Sequence, residues 1–279
     1  FEEASEASGL DIAALCFEEN DKINITEYTQ ICMLTAEAAI LRALEVKGYK
    51  ADVTAGLSLG EYGALAAAGV MELPDLFRII RMRGIYMQEA YPEGGAMTAV
   101  LGLDGDAVAA ICERTAKETG KVVSVANYNC PGQIVITGEA DAVEAASEAL
   151  KEAGAKRCVP LKVSGPFHSA LLKNAGEQLA EELKSVKLST PWIPYVSNVT
   201  ADYVTDASQV AELLKQQVSS PVHFTQSVER MIADGVDTFI EIGPGKTLSS
   251  FVRKIDRNVK VYNIEKPEDL DRVMEELAC

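Results

Sequence analysis

The chain has 279 residues, of which 48% are hydrophobic and 24% are charged, and its 26 basic and 42 acidic side chains leave a formal net charge of −16. This composition excludes a disordered or fibrous protein, and the length permits one large core or a core with a small second domain. The negative charge disfavours tight binding to nucleic acid or an anionic membrane, because the few basic residues would have to cluster. No apolar run approaches the ~18 residues of a membrane span, and the first residues are acidic where a signal peptide is basic. We therefore expect a cytoplasmic protein with no nucleic-acid or membrane partner.

The first part of the chain predicts helices around one short strand. A helical pattern runs from the start of the chain to about Lys50, with its main helix over residues 26–44 and Gly48 as the end of that helix. A short strand covers 51–56, and a helix of small residues covers 61–68, where Gly69 ends it. A strand, a tight glycine turn and a helix in this order are typical of α/β folds.

Residues 96–161 have a more compact pattern with its own order. Strands are predicted at 97–103, 122–128, 133–137 and 156–163, with helices at 106–119 and 140–153. The order βαββαβ is that of the ferredoxin-like unit. We predict that these residues form a small domain inserted into a larger one.

The remaining chain predicts the second half of the larger domain. Helices are predicted at 170–183, 208–217 and 225–233, an extended Pro-rich piece at 191–199, and a strand at 238–242 before a Gly-Pro-Gly turn that opens another helix. The prediction is an α/β fold, with an α/β-hydrolase-like domain of residues 1–95 and 162–279 around a central, mostly parallel sheet.

The number and spacing of the cysteines and histidines limit the kinds of catalytic and metal sites that the chain can form. The six cysteines are scattered, with no CxxC pair and no cysteine–histidine spacing suited to a metal, so we expect reduced thiols, no metal and no cofactor. They are Cys16, Cys32, Cys112, Cys130, Cys158 and Cys279. The chain contains only two histidines, His168 and His223, so any histidine chemistry must use one or both.

Ser58 is the candidate nucleophile. It lies at the centre of Gly56-Leu57-Ser58-Leu59-Gly60, which fits the G-x-S-x-G pattern between a predicted strand and a predicted helix. The glycines allow a sharp reversal that exposes the hydroxyl, and the N-terminal N–H groups of the helix suit an oxyanion. The simpler interpretation is a strand-to-helix turn with Ser58 as N-cap.

A serine nucleophile needs a base, and His168 follows the predicted small domain immediately before a helix. This position corresponds to a cleft between domains, where ligand sites concentrate. The alternative is a buried structural histidine, and we assign that role to His223.

Arg83 is predicted to point inward. On the helix that contains it, the other charged residues fall on one face, whereas Arg83 falls among Leu76, Ile79 and Met87. A buried arginine needs a partner, which is either a carboxylate of the protein or one of a ligand.

Seven segments together resemble one family, the malonyl-CoA:acyl-carrier-protein transacylases of type II fatty-acid synthesis. Each segment alone is a weak signal, but all seven match in order and spacing over essentially the whole chain. They are GLSLGEY at Ser58, RMRGIYMQEAYPEGGAM at Arg83, NYNCPGQIVITG, SGPFHSALL at His168, VSNVTA, QQVSSPVHF and EIGPGKTL.

The resemblance implies a role for each matching residue. Ser58 would be acylated by malonyl-CoA, His168 would be its base, and Arg83 would pair with the malonyl carboxylate. The N–H of Leu59 would belong to the oxyanion hole, and Gln217 would support the histidine. A neutral group suits that last position, because an Asp there would lie near the carboxylate of the substrate.

Two further residues match positions that shape the pocket in this family. Gln30 would line the pocket. Phe167, beside the base, would restrict the space next to the malonyl α-carbon and so disfavour a methyl branch.

The implied reaction is ping-pong acyl transfer from malonyl-CoA to the phosphopantetheine thiol of acyl carrier protein, by a monomer. Because carrier proteins of this pathway are acidic, docking requires a local basic patch. The candidates for this patch are Lys162, Lys173, Lys246, Arg253 and Lys254. The alternatives are a serine hydrolase acting on thioesters, an acyltransferase-like module that binds without turnover, and an acyltransferase domain of a polyketide synthase.

The family begins with a strand and a GQGxQ motif, whose last glutamine helps to form the oxyanion hole, and neither is found in this sequence. The second donor of the oxyanion hole is therefore unassigned in this sequence. We expect the intact protein to be longer at its N-terminus and to carry the missing segment.

Overall fold

The computed structural model describes residues 1–163 and 165–277, so Cys279 lies outside the described residues. Twelve α-helices and nine strands are formed by these residues. The helices are α1 Glu2–Ser8, α2 Ile12–Phe17, α3 Thr26–Val46, α4 Gly60–Ala67, α5 Leu73–Ala90, α6 Gly105–Thr119, α7 Ala140–Glu152, α8 Lys173–Leu183, α9 Ala207–Gln217, α10 Phe224–Ala233, α11 Thr247–Ile255 and α12 Pro267–Leu277. The strands are β1 Thr54–Ala55, β2 Gly95–Leu101, β3 Val123–Cys130, β4 Gln133–Glu139, β5 Arg157–Pro160, β6 Tyr195–Val196, β7 Tyr203–Val204, β8 Thr238–Ile242 and β9 Lys260–Ile264. Short 3-10 helices cover Lys22–Asn24 and Ala170–Leu172.

The largest core lies among helices α3, α4, α5, α8 and α9. Helix α5 shows why it forms, because its apolar residues recur every three or four positions and bury Leu76, Ile79, Ile80 and Met87. Each such side chain contributes roughly 1.5–3 kcal/mol of burial free energy. Arg83 lies on this same buried face, as the sequence predicts.

Residues 95–160 form an antiparallel four-stranded sheet in the order β3-β4-β2-β5, with α6 between its first two strands in the chain and α7 between its last two. Val100, Ile134 and Ile136 point into a core that both helices share. Met97, Ala99 and Val135 alternate to the opposite face, where they pack with Phe167. This second face therefore lies against the segment that carries His168.

The parallel pairing is shorter than the sequence suggests. Strand β1 pairs in parallel with β6 over two residues, β6 pairs antiparallel with β7, and β8 and β9 form a separate parallel pair of five residues each. Among the described residues these are two small sheets instead of one central sheet. The chain leaves β1 at Gly56, and the side chain of Asn198 then supplies backbone hydrogen bonds that a neighbouring strand would otherwise make.

Most predicted elements agree with the structure to within a few residues. The predicted helix 170–183 begins as a 3-10 turn, and the predicted strand 156–163 is limited to Arg157–Pro160. The sequence does not predict strands β7 and β9 or helix α12, which the structure contains. In the part of the chain that is described, no helix combines the length and the apolar character that crossing a membrane requires.

Candidate active site

Ser58 lies in the turn between β1 and α4 and has a φ of 55°. A side chain at Gly56 would bring its Cβ within 2.0 Å of the Gly60 carbonyl, so only glycine allows this close turn. Three described residues other than glycine have positive φ, and two of them are Ser58 and His168, at 55° and 60°. Such a conformation costs roughly 1–3 kcal/mol and is concentrated at functional sites.

Asn198 holds this turn in place. Its Oδ1 accepts from the Ser58 N–H at 2.6 Å, and its Nδ2 donates to the Gly56 carbonyl at 2.6 Å. The Ser58 N–H is therefore occupied, whereas the Leu59 N–H meets no acceptor among residues 1–163 and 165–277. A backbone N–H that is unpaired at this position can donate to an oxyanion beside Ser58.

His168 contacts the serine directly. Its Nε2 lies 2.7 Å from Ser58 Oγ, and its Nδ1 lies 2.8 Å from the main-chain carbonyl of Gln217. A carbonyl can only accept, so Nδ1 carries the proton and Nε2 is free to accept the serine proton. Burial, together with the charge of Arg83, lowers the pKa of His168 to about 4. The imidazole is therefore neutral at neutral pH.

Arg83 brings a positive charge into the same place. It is 1% exposed, and its Nη2 donates to Ser58 Oγ at 3.1 Å and to Gln217 Oε1 at 3.0 Å, while its Nη1 donates to Gln30 Oε1. The ring of Tyr62 lies 5.4 Å from the guanidinium carbon. No salt bridge joins Arg83 to any other described residue. Of the two partners that the sequence allows, a carboxylate of the protein is absent from the direct contacts of Arg83 among the described residues.

Gln217 connects the parts of the site. Its main-chain carbonyl orients His168, and its side-chain nitrogen donates to the Ser58 carbonyl at 2.9 Å and to Glu61 Oε2 at 2.7 Å. The support for the histidine is thus the backbone of Gln217, and its side chain serves Arg83. Burial raises the pKa of Glu61 to about 7.

Two residues of the site, Asn198 and Glu61, are not indicated by any pattern in the sequence. Asn198 lies in the segment VSNVTA. The feature of the sequence that could have indicated its role is an asparagine within an extended segment. Glu61 lies in the first turn of α4, where a carboxylate is explained by the helix dipole alone.

The other predicted residues are placed as follows. Gln30 is buried beside Arg83, and Phe167 packs on the sheet of the small unit next to His168. His223 is half-buried and stacks on Tyr128, with ring centroids 5.1 Å apart, and its main-chain N–H donates to the main-chain carbonyl of Asn198 at 2.9 Å. No group of three His, Cys, Asp or Glu residues within the described ranges could hold a metal ion.

A serine hydroxyl bonded to a neutral histidine, itself held by a carbonyl, defines the class of nucleophilic acyl-transfer sites. Residues 2–266 of the chain match the acyl transferase domain family, which agrees with this class of site.

Relatives of known name match almost the whole chain. The malonyl CoA-acyl carrier protein transacylase of Bacillus subtilis is 44% identical over 279 residues, covering 99% of this chain and 88% of the relative. The protein of the same name from Escherichia coli K12 is 43% identical, covering 99% and 89%. The chain belongs to the acyl transferase family, in the group of the malonyl CoA-acyl carrier protein transacylases.

Solved structures agree with this placement. The acyl carrier protein S-malonyltransferase of Vibrio cholerae superposes with a TM-score of 0.95 at 42% identity, covering 98% of this chain and 90% of that one. A malonyl-transacylase in complex with a type II polyketide synthase acyl-carrier protein has a TM-score of 0.95 at 40% identity, covering 99% and 90%.

Proposed function

We propose that this protein transfers a malonyl group from malonyl-CoA to the phosphopantetheine thiol of acyl carrier protein, through a malonyl ester of Ser58. The observation that carries the proposal is that one oxygen, Ser58 Oγ, contacts both His168 Nε2 and Arg83 Nη2. The malonyl carboxylate is one CH₂ group away from the carbonyl carbon under attack. A cation that touches the attacking oxygen is therefore at the right distance to pair with it.

In the first half-reaction, Ser58 Oγ attacks the thioester carbonyl and its proton passes to His168 Nε2. The negative charge on the carbonyl oxygen is stabilised by the Leu59 N–H at the start of α4. When the C–S bond breaks, the CoA sulfur leaves with the proton from His168. The products are the malonyl ester of Ser58 and free CoA.

In the second half-reaction, the thiol of the carrier protein gives its proton to His168, and the sulfur attacks the ester carbonyl. The bond to Ser58 Oγ breaks, and the serine takes back the proton from His168. The enzyme returns to its starting state, and one base serves both halves of the reaction.

Arg83 would select acyl groups that carry a carboxylate, with Gln30 and Gln217 holding the guanidinium between them. Phe167 would restrict the space beside the malonyl α-carbon.

We also propose the finer architecture. The strand order β3-β4-β2-β5 with two crossing helices supports a ferredoxin-like unit at residues 96–161, inserted into an α/β-hydrolase-like domain of residues 1–95 and 162–279. Docking of an acidic carrier protein would use the exposed residues Lys162, Lys173, Lys246, Arg253 and Lys254. The monomeric state and the cytoplasmic location stay predictions from the sequence.

The test is a labelling experiment with radioactive malonyl-CoA and purified carrier protein. The protein should become labelled on Ser58 and pass the label to the carrier, and a folded Ser58→Ala protein should not be labelled. Thioester hydrolysis at full rate without carrier protein would favour a hydrolase instead. Malonyl label on folded Ser58→Ala would overturn the assignment of the nucleophile.

A further inference from the structure

The buried carboxyl group of Glu61 is linked to Arg83 through a single side chain, that of Gln217. The guanidinium donates to the side-chain oxygen of Gln217 at 3.0 Å, and the nitrogen of that same amide donates to Glu61 Oε2 at 2.7 Å. Arg83, Gln217 and Glu61 are each at most 1% exposed. The dipole of the Gln217 amide is therefore aligned between a buried cation and a buried carboxyl group.

The carboxyl group of Glu61 is only partly stabilised. Its Oε2 also accepts from the Asn198 N–H at 3.2 Å, but its Oε1 meets no hydrogen-bond donor in the described part of the chain. Burial therefore raises the pKa of Glu61 to about 7, although its hydrogen bonds and the charge of Arg83 act in the opposite direction. A modest change in the local potential is enough to change its protonation.

The other titratable groups around Glu61 do not compete for this proton near neutral pH. Tyr62 on α4 and Tyr195 on β6 both face the carboxyl group, and burial raises the pKa of each tyrosine above its usual value. Arg83 on α5 stays charged. His168 lies beyond Arg83, and its pKa is about 4.

The following inference about Glu61 rests on the proposed function, in which an acyl carboxylate pairs with Arg83. We propose that Glu61 is the counter-charge of Arg83 in the free site, and that it takes up one proton from solvent when that carboxylate binds. Two carboxylates facing one guanidinium would leave an excess negative charge in a buried site, and protonation of Glu61 removes it. Binding of malonyl-CoA would then weaken as the pH rises above about 7, whereas binding of acetyl-CoA would not.

Calorimetry tests this on the Ser58→Ala protein, which binds without reacting. Malonyl-CoA and acetyl-CoA are titrated at pH 7.5 in buffers of low and high ionisation heat, and the dependence on that heat counts the protons taken up. We expect malonyl-CoA to take up more protons than acetyl-CoA, because a carboxyl group with a pKa of about 7 is largely ionised in the free site at this pH and becomes neutral when the acyl carboxylate binds. Both ligands share the CoA phosphates, so these cancel.

Two double variants show whether Glu61 is the group that takes up the proton when malonyl-CoA binds. Ser58→Ala/Glu61→Gln should lose the difference between the ligands, because the amide keeps the shape but cannot take up a proton. The matched control is Ser58→Ala/Glu37→Gln, since Glu37 is another buried carboxyl group, with a pKa raised to about 8 by burial, outside these contacts. This control should keep the difference. If the Glu61→Gln protein fails to fold, infrared difference spectra of ¹³C-labelled Ser58→Ala protein should show a new protonated-carboxyl band on binding malonyl-CoA.

Each opposite result overturns the inference. Equal proton uptake for the two ligands means that no group responds to the carboxylate. A difference that persists in Glu61→Gln assigns the proton to another group such as His168. Failure of folded Ser58→Ala to bind malonyl-CoA while it binds acetyl-CoA would count against the proposed function, and against this inference with it.

Discussion

Replacing Arg83 by Met should change which acyl group is transferred more than whether transfer occurs. The guanidinium contacts Ser58 Oγ at 3.1 Å, and a hydrogen bond to a charged group is worth roughly 1.5–3 kcal/mol. Loss of that interaction with the malonyl carboxylate corresponds to a decrease in kcat/KM of about ten- to a hundredfold. An acetyl group has no carboxylate and loses nothing of this kind. The ratio of malonyl to acetyl transfer should therefore fall by the same factor.

The structural cost of this change is separate and measurable. Gln30 and Gln217 each lose a donor, and a buried acceptor left unpaired costs about 1–3 kcal/mol of stability. Thermal unfolding followed by circular dichroism measures this loss. The control is Arg81→Met, because Arg81 is a mostly buried arginine of the same helix that pairs with Glu27 at 2.8 Å instead of with Gln30 and Gln217.

The assay is transfer to purified carrier protein from malonyl-CoA and acetyl-CoA, at the same pH, for wild type, Arg83→Met and Arg81→Met. A malonyl-to-acetyl ratio in folded Arg83→Met equal to that of wild type would refute the role of Arg83. An equal fall of the ratio in Arg81→Met would show that the effect is not specific to the site.

Four further outcomes are expected. Asn198→Ala leaves the Ser58 N–H and the Gly56 carbonyl unpaired, so the unfolding temperature and the rate of acylation should both fall; an unchanged acylation rate would mean that Asn198 does not hold the nucleophile. His168→Ala should slow both half-reactions by at least a hundredfold, roughly the contribution of one general base, and a rate within a few-fold of wild type would make His168 structural. Because His168 has a pKa lowered to about 4, pre-steady-state acylation by acetyl-CoA should stay constant as the pH falls from 7 to about 5 and decline only as the histidine becomes protonated; a decline beginning near pH 6.5 would contradict that environment. Phe167→Ala should raise methylmalonyl transfer relative to malonyl transfer, and an unchanged ratio would remove Phe167 from the determinants of specificity.

Two of the residues that the sequence reveals, Ser58 and Arg83, have unusual local surroundings. Ser58 lies between two glycines at a strand-to-helix turn, and Arg83 interrupts the apolar face of α5. Both signals depend only on neighbours within one or two turns of the chain, so periodicity and turn chemistry are enough to find them. His168 is found because only two histidines exist.

Asn198 and Glu61 show what local patterns cannot reveal. Asn198 acts on Ser58 across 140 residues, and Glu61 meets Gln217 across 156. Neither residue is out of place in its own segment, so nothing nearby indicates a distant partner. Strands of two residues, such as β6 and β7, are similarly too short to show an alternating pattern.

The way His168 is oriented follows from the charge balance of the site. A carboxylate at Nδ1 would make the imidazole more basic, but it would also place a second negative charge near the carboxylate that Arg83 is proposed to receive. The main-chain carbonyl of Gln217 selects the same tautomer without a net charge. A neutral histidine beside Arg83 also avoids two adjacent cations in a buried site.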